Sequence, residues 1–310
     1  MRPHGAARTG RARSGSPKAV PKIGRMCRLF GAAASAPIDV SFELLRSDNS
    51  ILRQSERHDS GWGSAYYSAD GRPDIRRFPE AAHADEAFDE VTSGRSRLIM
   101  VHVRRATIGD LTLDNTHPFA DGPYTYCHNG TILKASTLVP LADRAPRGDT
   151  DSERFFNLLM TGFDPDDVIG SLRRTVERVC DVCRFSALNF LFCDGKRLYG
   201  YRFGVYRLFA LARSLDLEAD TQTHYRLRLE RPHGEHVVLV SSEKLDDRPE
   251  WTELGQDELL VCDPDDADHP RIERLLGSRA DDVEFVPLDA GTLTGAERGR
   301  WAAERAAAGF

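Results

Sequence analysis

The order of its apolar runs constrains this chain more than any other feature. Strand-length runs crowd both ends, at residues 29–34, 62–68, 98–103 and 124–127 early, and at 187–193, 198–203, 206–211, 225–229, 236–241 and 259–262 late. Asp70-Gly71 is a hairpin turn that returns the second run through Ile75 to Phe78. Between the two groups lies a helical block. Residues 153–160 follow Thr150-Asp151-Ser152, good N-cap chemistry with acid in the first turn. Val168, Ile169, Leu172, Val176 and Val179 then recur at three- and four-residue spacing. Shorter helices are expected around Val40, Leu44 and Leu45 and over 81–91. Strands split around a helical block predict an α+β fold, two stacked antiparallel sheets with helices segregated to the outer layers. No internal repeat or linker divides the chain, and 40% hydrophobic residues suffice for one large domain or two small ones.

The first strand begins at an unusual place. Met26-Cys27-Arg28-Leu29-Phe30-Gly31 reads as the start of a protein. If Met26 is the initiator and is removed, Cys27 holds a thiol and a free α-amine, a nucleophile and a base one side chain apart. An α-amine has a reference pKa of about 7.7–8.0, so a useful neutral fraction exists near pH 7. The preceding segment supports this reading. Residues 1–25 carry seven basic side chains (Arg2, Arg8, Arg11, Arg13, Lys18, Lys22, Arg25), no acid, and mostly Gly, Pro, Ala and Ser otherwise. Such a composition cannot bury a core, and it lacks the apolar h-region of a secretory signal. Residues 1–26 are therefore expected to be a basic, disordered extension absent from the working protein, through a misassigned start or a processed leader. Composition leaves open a retained tail, an Arg-rich transit peptide or a nucleic-acid-binding arm.

The remainder is acidic. The chain has 42 basic and 48 acidic side chains; without the seven, the balance is 35 against 48, or −13. That argues against a nucleic-acid partner. No apolar run approaches the 18 or so residues that span a bilayer. Six scattered cysteines are too few for a disulfide scaffold, so a reduced, cytoplasmic protein is expected. Cys180 and Cys183 stand at helical spacing with no second pair at zinc spacing, which disfavours a metal or redox centre. Cys193 and Cys262 read as core strand positions. There is no Gly-x-Ser-x-Gly elbow, phosphate loop or dinucleotide fingerprint.

Four polar clusters sit at strand ends and loops, where a scaffold presents functional groups. They are Arg104-Arg105-Ala106-Thr107, Asn115-Thr116-His117-Pro118-Phe119, His128-Asn129-Gly130 and Gly148-Asp149-Thr150-Asp151-Ser152-Glu153. Singly each has a structural reading. Asn129-Gly130 is a turn dipeptide, Asp151 a helix cap, Arg104 and Arg105 a solvated pair, and His117 a loop histidine.

Taken with Cys27, the clusters resemble the class II glutamine amidotransferases in order and spacing from Met26 through Glu153. Val240-Ser241-Ser242-Glu243-Lys244-Leu245 resembles a strand and loop of small, stand-alone members. The resemblance implies a four-layer αββα N-terminal-nucleophile hydrolase sandwich over residues 27–285, with 286–310 a peripheral helix or tail. It implies Cys27 as nucleophile with its α-amine as general acid/base, and Asn129 and Gly130 as the oxyanion hole. Arg104 would grip the substrate α-carboxylate and Asp151 its α-ammonium, with Thr107 and His117 lining the site. Asp59-Ser60-Gly61-Trp62-Gly63 matches a pocket-shaping loop. Arg105 departs from the family pattern. No cofactor or metal is implied. The expected substrate is glutamine or a small γ-glutamyl compound. A separate synthase subunit could receive the ammonia. The alternatives are a γ-glutamyl amidohydrolase of thiol metabolism, with a glutathione- or ergothioneine-type substrate, and a non-catalytic regulatory or binding subunit.

Overall fold

A computed structural model describes residues 26–106, 109–214 and 235–286. Its 15 strands are β1 (Arg28–Asp39), β2 (Trp62–Tyr67), β3 (Pro73–Phe78), β4 (Arg95–Val103) and β5 (Phe119–Asp121). Then come β6 (Tyr124–Asn129), β7 (Ile132–Leu133), β8 (Arg184–Phe185), β9 (Asn189–Cys193) and β10 (Leu198–Arg202). The last are β11 (Phe209–Ser214), β12 (His236–Ser241), β13 (Thr252–Glu253), β14 (Glu258–Cys262) and β15 (Arg271–Arg274). The helices are α1 (Ile51–Ser55), α2 (Ala87–Thr92), α3 (Asp151–Met160) and α4 (Val168–Val182).

The strands form two large antiparallel sheets, β13-β11-β12-β1-β4-β2-β3 and β15-β14-β10-β9-β6-β5, while β7 and β8 pair on their own. Side chains alternate across each strand, and the three main cores show which face goes where. Leu29 and Ala33 of β1, with Leu98 and Met100 of β4, meet Cys127, Leu191, Cys193, Leu198 and Cys262 of the second sheet. Phe30, Ala32 and Ala34 turn the other way, onto Leu44, Ile51 and Phe88. The outer face of the second sheet buries Tyr126, Phe190 and Phe192 against Phe155, Leu172, Val176 and Val179 of α3 and α4. Helix, sheet, sheet, helix is the layering, an α+β sandwich as the patterning predicts. The sheets pack tightly at Gly31, where a Cβ would lie 2.9 Å from the Leu198 side chain.

Some local expectations are corrected. The helix expected around Val40–Leu45 is a five-residue π-helical turn, Phe42–Arg46. That expected over 81–91 is split, a 3₁₀ turn at Ala82–Ala84 followed by α2. Asp85 causes the break: its carboxylate accepts the Ala87 N–H at 3.0 Å and the Trp62 indole N–H at 2.8 Å, starting a new helix. The strand expected from 206 begins at Phe209. The run at 225–229, residues 1–25 and most of 286–310 lie outside the described residues. No described helix is long and apolar enough to cross a membrane.

Candidate active site

Strand ends of both sheets converge at one edge of the sandwich. Arg28 opens β1 opposite Val103, which closes β4, so Cys27 and Arg104 are the next residues outward on neighbouring strands. Cys27 shares the parity of Leu29, and Arg104 that of Leu98 and Met100, so both belong to the inter-sheet face. Arg104 is fixed from the other side by the β2 loop: its N–H reaches Gly61 O at 2.7 Å and its carbonyl accepts Ser60 N–H at 3.1 Å. On the facing sheet Asn129 ends β6 opposite Asn189, on the same strand face as Cys127.

Cys27 is nearly enclosed, with 9% of its surface exposed. Its Sγ lies 3.4 Å from the backbone N of Arg105 and 3.5 Å from the Arg105 carbonyl. Burial pushes the thiol above its ordinary range; the Arg105 N–H and the Arg104 charge pull it back, and Asp151 adds a small push upward. Arg104 and Asp151 thus both sit close enough to act on the sulfur's charge.

Arg104 and Asp151 are held differently. The Arg104 guanidinium is gripped by carbonyls: Nη1 donates to Asp110 O at 2.9 Å and Ser60 O at 3.5 Å, and Nη2 to Gly109 O at 3.1 Å. Asp151 is buried at the first turn of α3, and its Oδ2 accepts the Ile132 N–H at 2.7 Å. The cap of that helix is Thr150, whose Oγ1 accepts the Glu153 N–H at 3.2 Å. Asp151 is therefore not the N-cap, which removes its simplest structural reading.

Asn129 and Gly130 are also held in place. Asn129 Nδ2 donates to Ser242 Oγ at 3.3 Å, and its Oδ1 is buried without a partner. Ser242 Oγ also accepts the Leu29 N–H at 3.0 Å, linking Asn129 to the strand that carries Cys27. Gly130 has no room for a side chain: a Cβ would fall 1.9 Å from Ala187 O and 2.7 Å from His128 Nε2.

Behind these groups lies a nest of buried histidines. His128 bridges Ser152 Oγ at 2.9 Å and Ala187 O at 3.1 Å. His102 Nε2 approaches His128 O at 3.3 Å. His117 packs its ring 4.1 Å from that of His102 and 4.6 Å from Phe119, with both ring nitrogens buried and unpartnered. His117 thus backs the site from within the protein interior. Thr107 lies outside the described residues. Cys180 and Cys183 are on and just after α4, both unpaired thiols.

Sequence reasoning singled out Cys27, Arg104, Asn129, Gly130 and Asp151, and the fold gathers them. It did not single out the Arg105 N–H, Ser242, or Arg28, which pairs with Glu243 at 3.3 Å beside Cys27. The run 240–245 carried that signal, without indicating which of its side chains reaches Asn129.

A family profile described as Glutamine amidotransferases class-II matches residues 26–273. This chain belongs to the class II glutamine amidotransferases. Its domain is similar to those of relatives from distant organisms. It is 30% identical over 190 residues to the uncharacterised protein MJ1515 of Methanocaldococcus jannaschii, covering 57% of this chain and 51% of that one. The chain thus spans about half the length of that relative. It is 26% identical over 266 residues to the gamma-glutamyl-hercynylcysteine sulfoxide hydrolase of Mycobacterium tuberculosis, covering 82% of this chain and 100% of the other. The solved class-II domain protein of Silicibacter pomeroyi shares the fold, with a TM-score of 0.52 at 21% identity over 80% of this chain and 99% of that one. The amidotransferase fold accordingly takes up most of the described chain.

Proposed function

We propose that this protein hydrolyses the γ-amide of glutamine or of a small γ-glutamyl compound, with Cys27 as an N-terminal nucleophile. The observation that carries the proposal is the convergence at one sandwich edge of Cys27, Arg104, Asp151 and the Asn129-Gly130 pair. Cys27 attacks the γ-carbonyl carbon once Met26 and the residues before it are gone, its α-amine taking the thiol proton. The Asn129 amide and the Gly130 N–H donate to the tetrahedral oxyanion; losing one such donor typically costs about 10²–10³ in rate. Arg104 exchanges its Gly109 and Asp110 carbonyls for the substrate α-carboxylate, a stronger, charge-assisted acceptor. Asp151 holds the α-ammonium.

The two anchors accept a free glutamine or a terminal γ-glutamyl group and exclude an internal glutamine, which lacks both charges. The α-ammonium formed by the first proton transfer then protonates the departing amine, and water cleaves the thioester to release glutamate. A stand-alone hydrolase is favoured over an ammonia donor to a separate synthase, because a relative matched over its whole length is named a gamma-glutamyl-hercynylcysteine sulfoxide hydrolase. A purely regulatory subunit has no need of the nucleophile, oxyanion donors and both anchors together.

Ammonia and glutamate release from glutamine, by a chain beginning at Cys27 and by its Cys27→Ala variant, tests the proposal. Turnover in the first and none in the second is expected. Equal background in both, with glutamine and with γ-glutamyl amino acids alike, would overturn it.

A further inference from the structure

The proposed reaction needs space on the leaving side of the scissile amide. The departing amine takes its proton from the α-amine of Cys27, so whatever that amine carries must adjoin Cys27 N. In this chain that place is filled by Met26. Met26 is 4% exposed and packs against Ala187 and Tyr206. Ala187 O is the atom that excludes a side chain from Gly130, so this apolar wall abuts the candidate oxyanion hole.

The backbone of Met26 meets a cation. Its carbonyl accepts Arg28 Nη1 at 2.9 Å, while Glu243 holds Arg28 Nη2 at 3.3 Å. Arg28 Nε is buried with no partner. Two further arginines stand on the same rim: Arg57, close enough to act on Arg28, and Arg105, which with Arg28 acts on His58. The Arg105 side chain donates to Arg57 O. Among the described residues no carboxylate forms an ion pair with Arg57 or Arg105.

We propose that the volume Met26 fills is the leaving-group pocket of the mature enzyme, selecting γ-glutamyl amides of α-amino acids with an unbranched apolar side chain over glutamine. The inference rests on the function proposed above. Loss of Met26 vacates a slot already shaped for one amino-acid residue, an apolar wall for a side chain and a guanidinium for the carboxyl end. Arg28 exchanges a neutral carbonyl for a carboxylate, a bond roughly twice as strong. Ammonia leaving from glutamine uses neither feature. The overall step is balanced by water alone. The C–S bond forms as the C–N bond breaks, the amino acid leaves with the Cys27 ammonium proton, and water hydrolyses the thioester to glutamate.

The test uses a chain shown by intact mass to begin at Cys27, with glutamine, γ-glutamylmethionine and γ-glutamylmethioninamide as substrates. Expected are kcat/KM values for γ-glutamylmethionine at least about tenfold above those for either of the others. Free methionine, occupying the same slot, should inhibit competitively. Arg28→Gln should bring the γ-glutamylmethionine to γ-glutamylmethioninamide ratio close to one, and Arg28→Lys should restore part of it. Glutamine cleaved as well as γ-glutamylmethionine, or a ratio unmoved by Arg28→Gln, would overturn the pocket and leave the hydrolase standing. None of the three substrates cleaved would overturn both. The wild-type ratios and methionine inhibition decide the matter even if Arg28→Gln does not fold.

Discussion

Asn129 and Ser242 belong to different sheets, yet Asn129 Nδ2 and Ser242 Oγ lie 3.3 Å apart at the edge where Cys27 sits. Asn129 ends β6 and Ser242 follows β12. The same hydroxyl accepts the Leu29 N–H at 3.0 Å. One small side chain therefore sets the distance between the strand carrying Cys27 and the amide proposed to receive the oxyanion.

Ser242→Ala should loosen that link without emptying a core position. The Asn129 amide loses its fixed orientation and the Leu29 N–H a buried acceptor, at a stability cost of about 1–3 kcal/mol. The expected outcome is a fall of roughly tenfold in kcat with KM nearly unchanged, because orientation matters most when charge develops. Steady-state kinetics on glutamine check this; an equal rise in KM would assign Ser242 to substrate binding instead.

Gly130→Ala should be far more damaging. Its Cβ would lie 1.9 Å from Ala187 O, a backbone atom that cannot step aside alone. Displacing the Gly130 N–H removes an oxyanion donor, so activity should drop by about 10² or more, with a lower melting temperature. A fully active Gly130→Ala protein would exclude Gly130 from the oxyanion hole.

Asp151→Asn separates anchoring from architecture. The amide oxygen can still accept the Ile132 N–H now received by Oδ2 at 2.7 Å, and Thr150 still caps α3. Only the negative charge is lost. The affinity for a substrate α-ammonium should fall by a few kcal/mol, since the cation is left buried and unpaired, while the melting temperature holds. γ-Glutamyl substrates lacking the α-amino group should lose much less, and kinetics on the two substrate types check the difference.

Stability should decline as pH falls below the ordinary histidine range. Burial pushes His58 down to about 4 and His102 to about 3, and it lowers His117 and His128 as well. Unfolded, each takes up a proton near pH 6.5, at roughly its reference pKa; folded, each stays neutral. Below that pH the unfolded chain binds more protons, so this contribution is complete above it and lost as pH falls toward the folded values. The slope is up to about 1.4 kcal/mol per pH unit for each such histidine. Denaturant midpoints at about pH 7.5 and 5.5 measure it; equal midpoints would contradict it.

How much of this was legible beforehand differs by residue. The layering followed from strand and helix order, because alternation and three-four spacing report which faces are buried. Cys27, Arg104, Asn129, Gly130 and Asp151 were found as motifs at strand and helix ends. Arg105 acts on Cys27 through a backbone N–H, which any residue type could supply. Ser242 and Arg28 depend on contacts between chain segments more than two hundred residues apart. Periodicity cannot report such contacts. The broken helix before α2 was hidden for the same reason, since Asp85 caps it while bonding Trp62 across the fold.

The central claim is that catalysis requires the free α-amine of Cys27. It is tested most directly by comparing glutamate release from glutamine by two proteins of verified mass. One begins at Cys27, and the other retains a single uncleavable residue before it. The account predicts turnover by the first and a loss of about 10²–10⁴ in the second, the usual contribution of a positioned acid/base. Equal rates from the two proteins would contradict it.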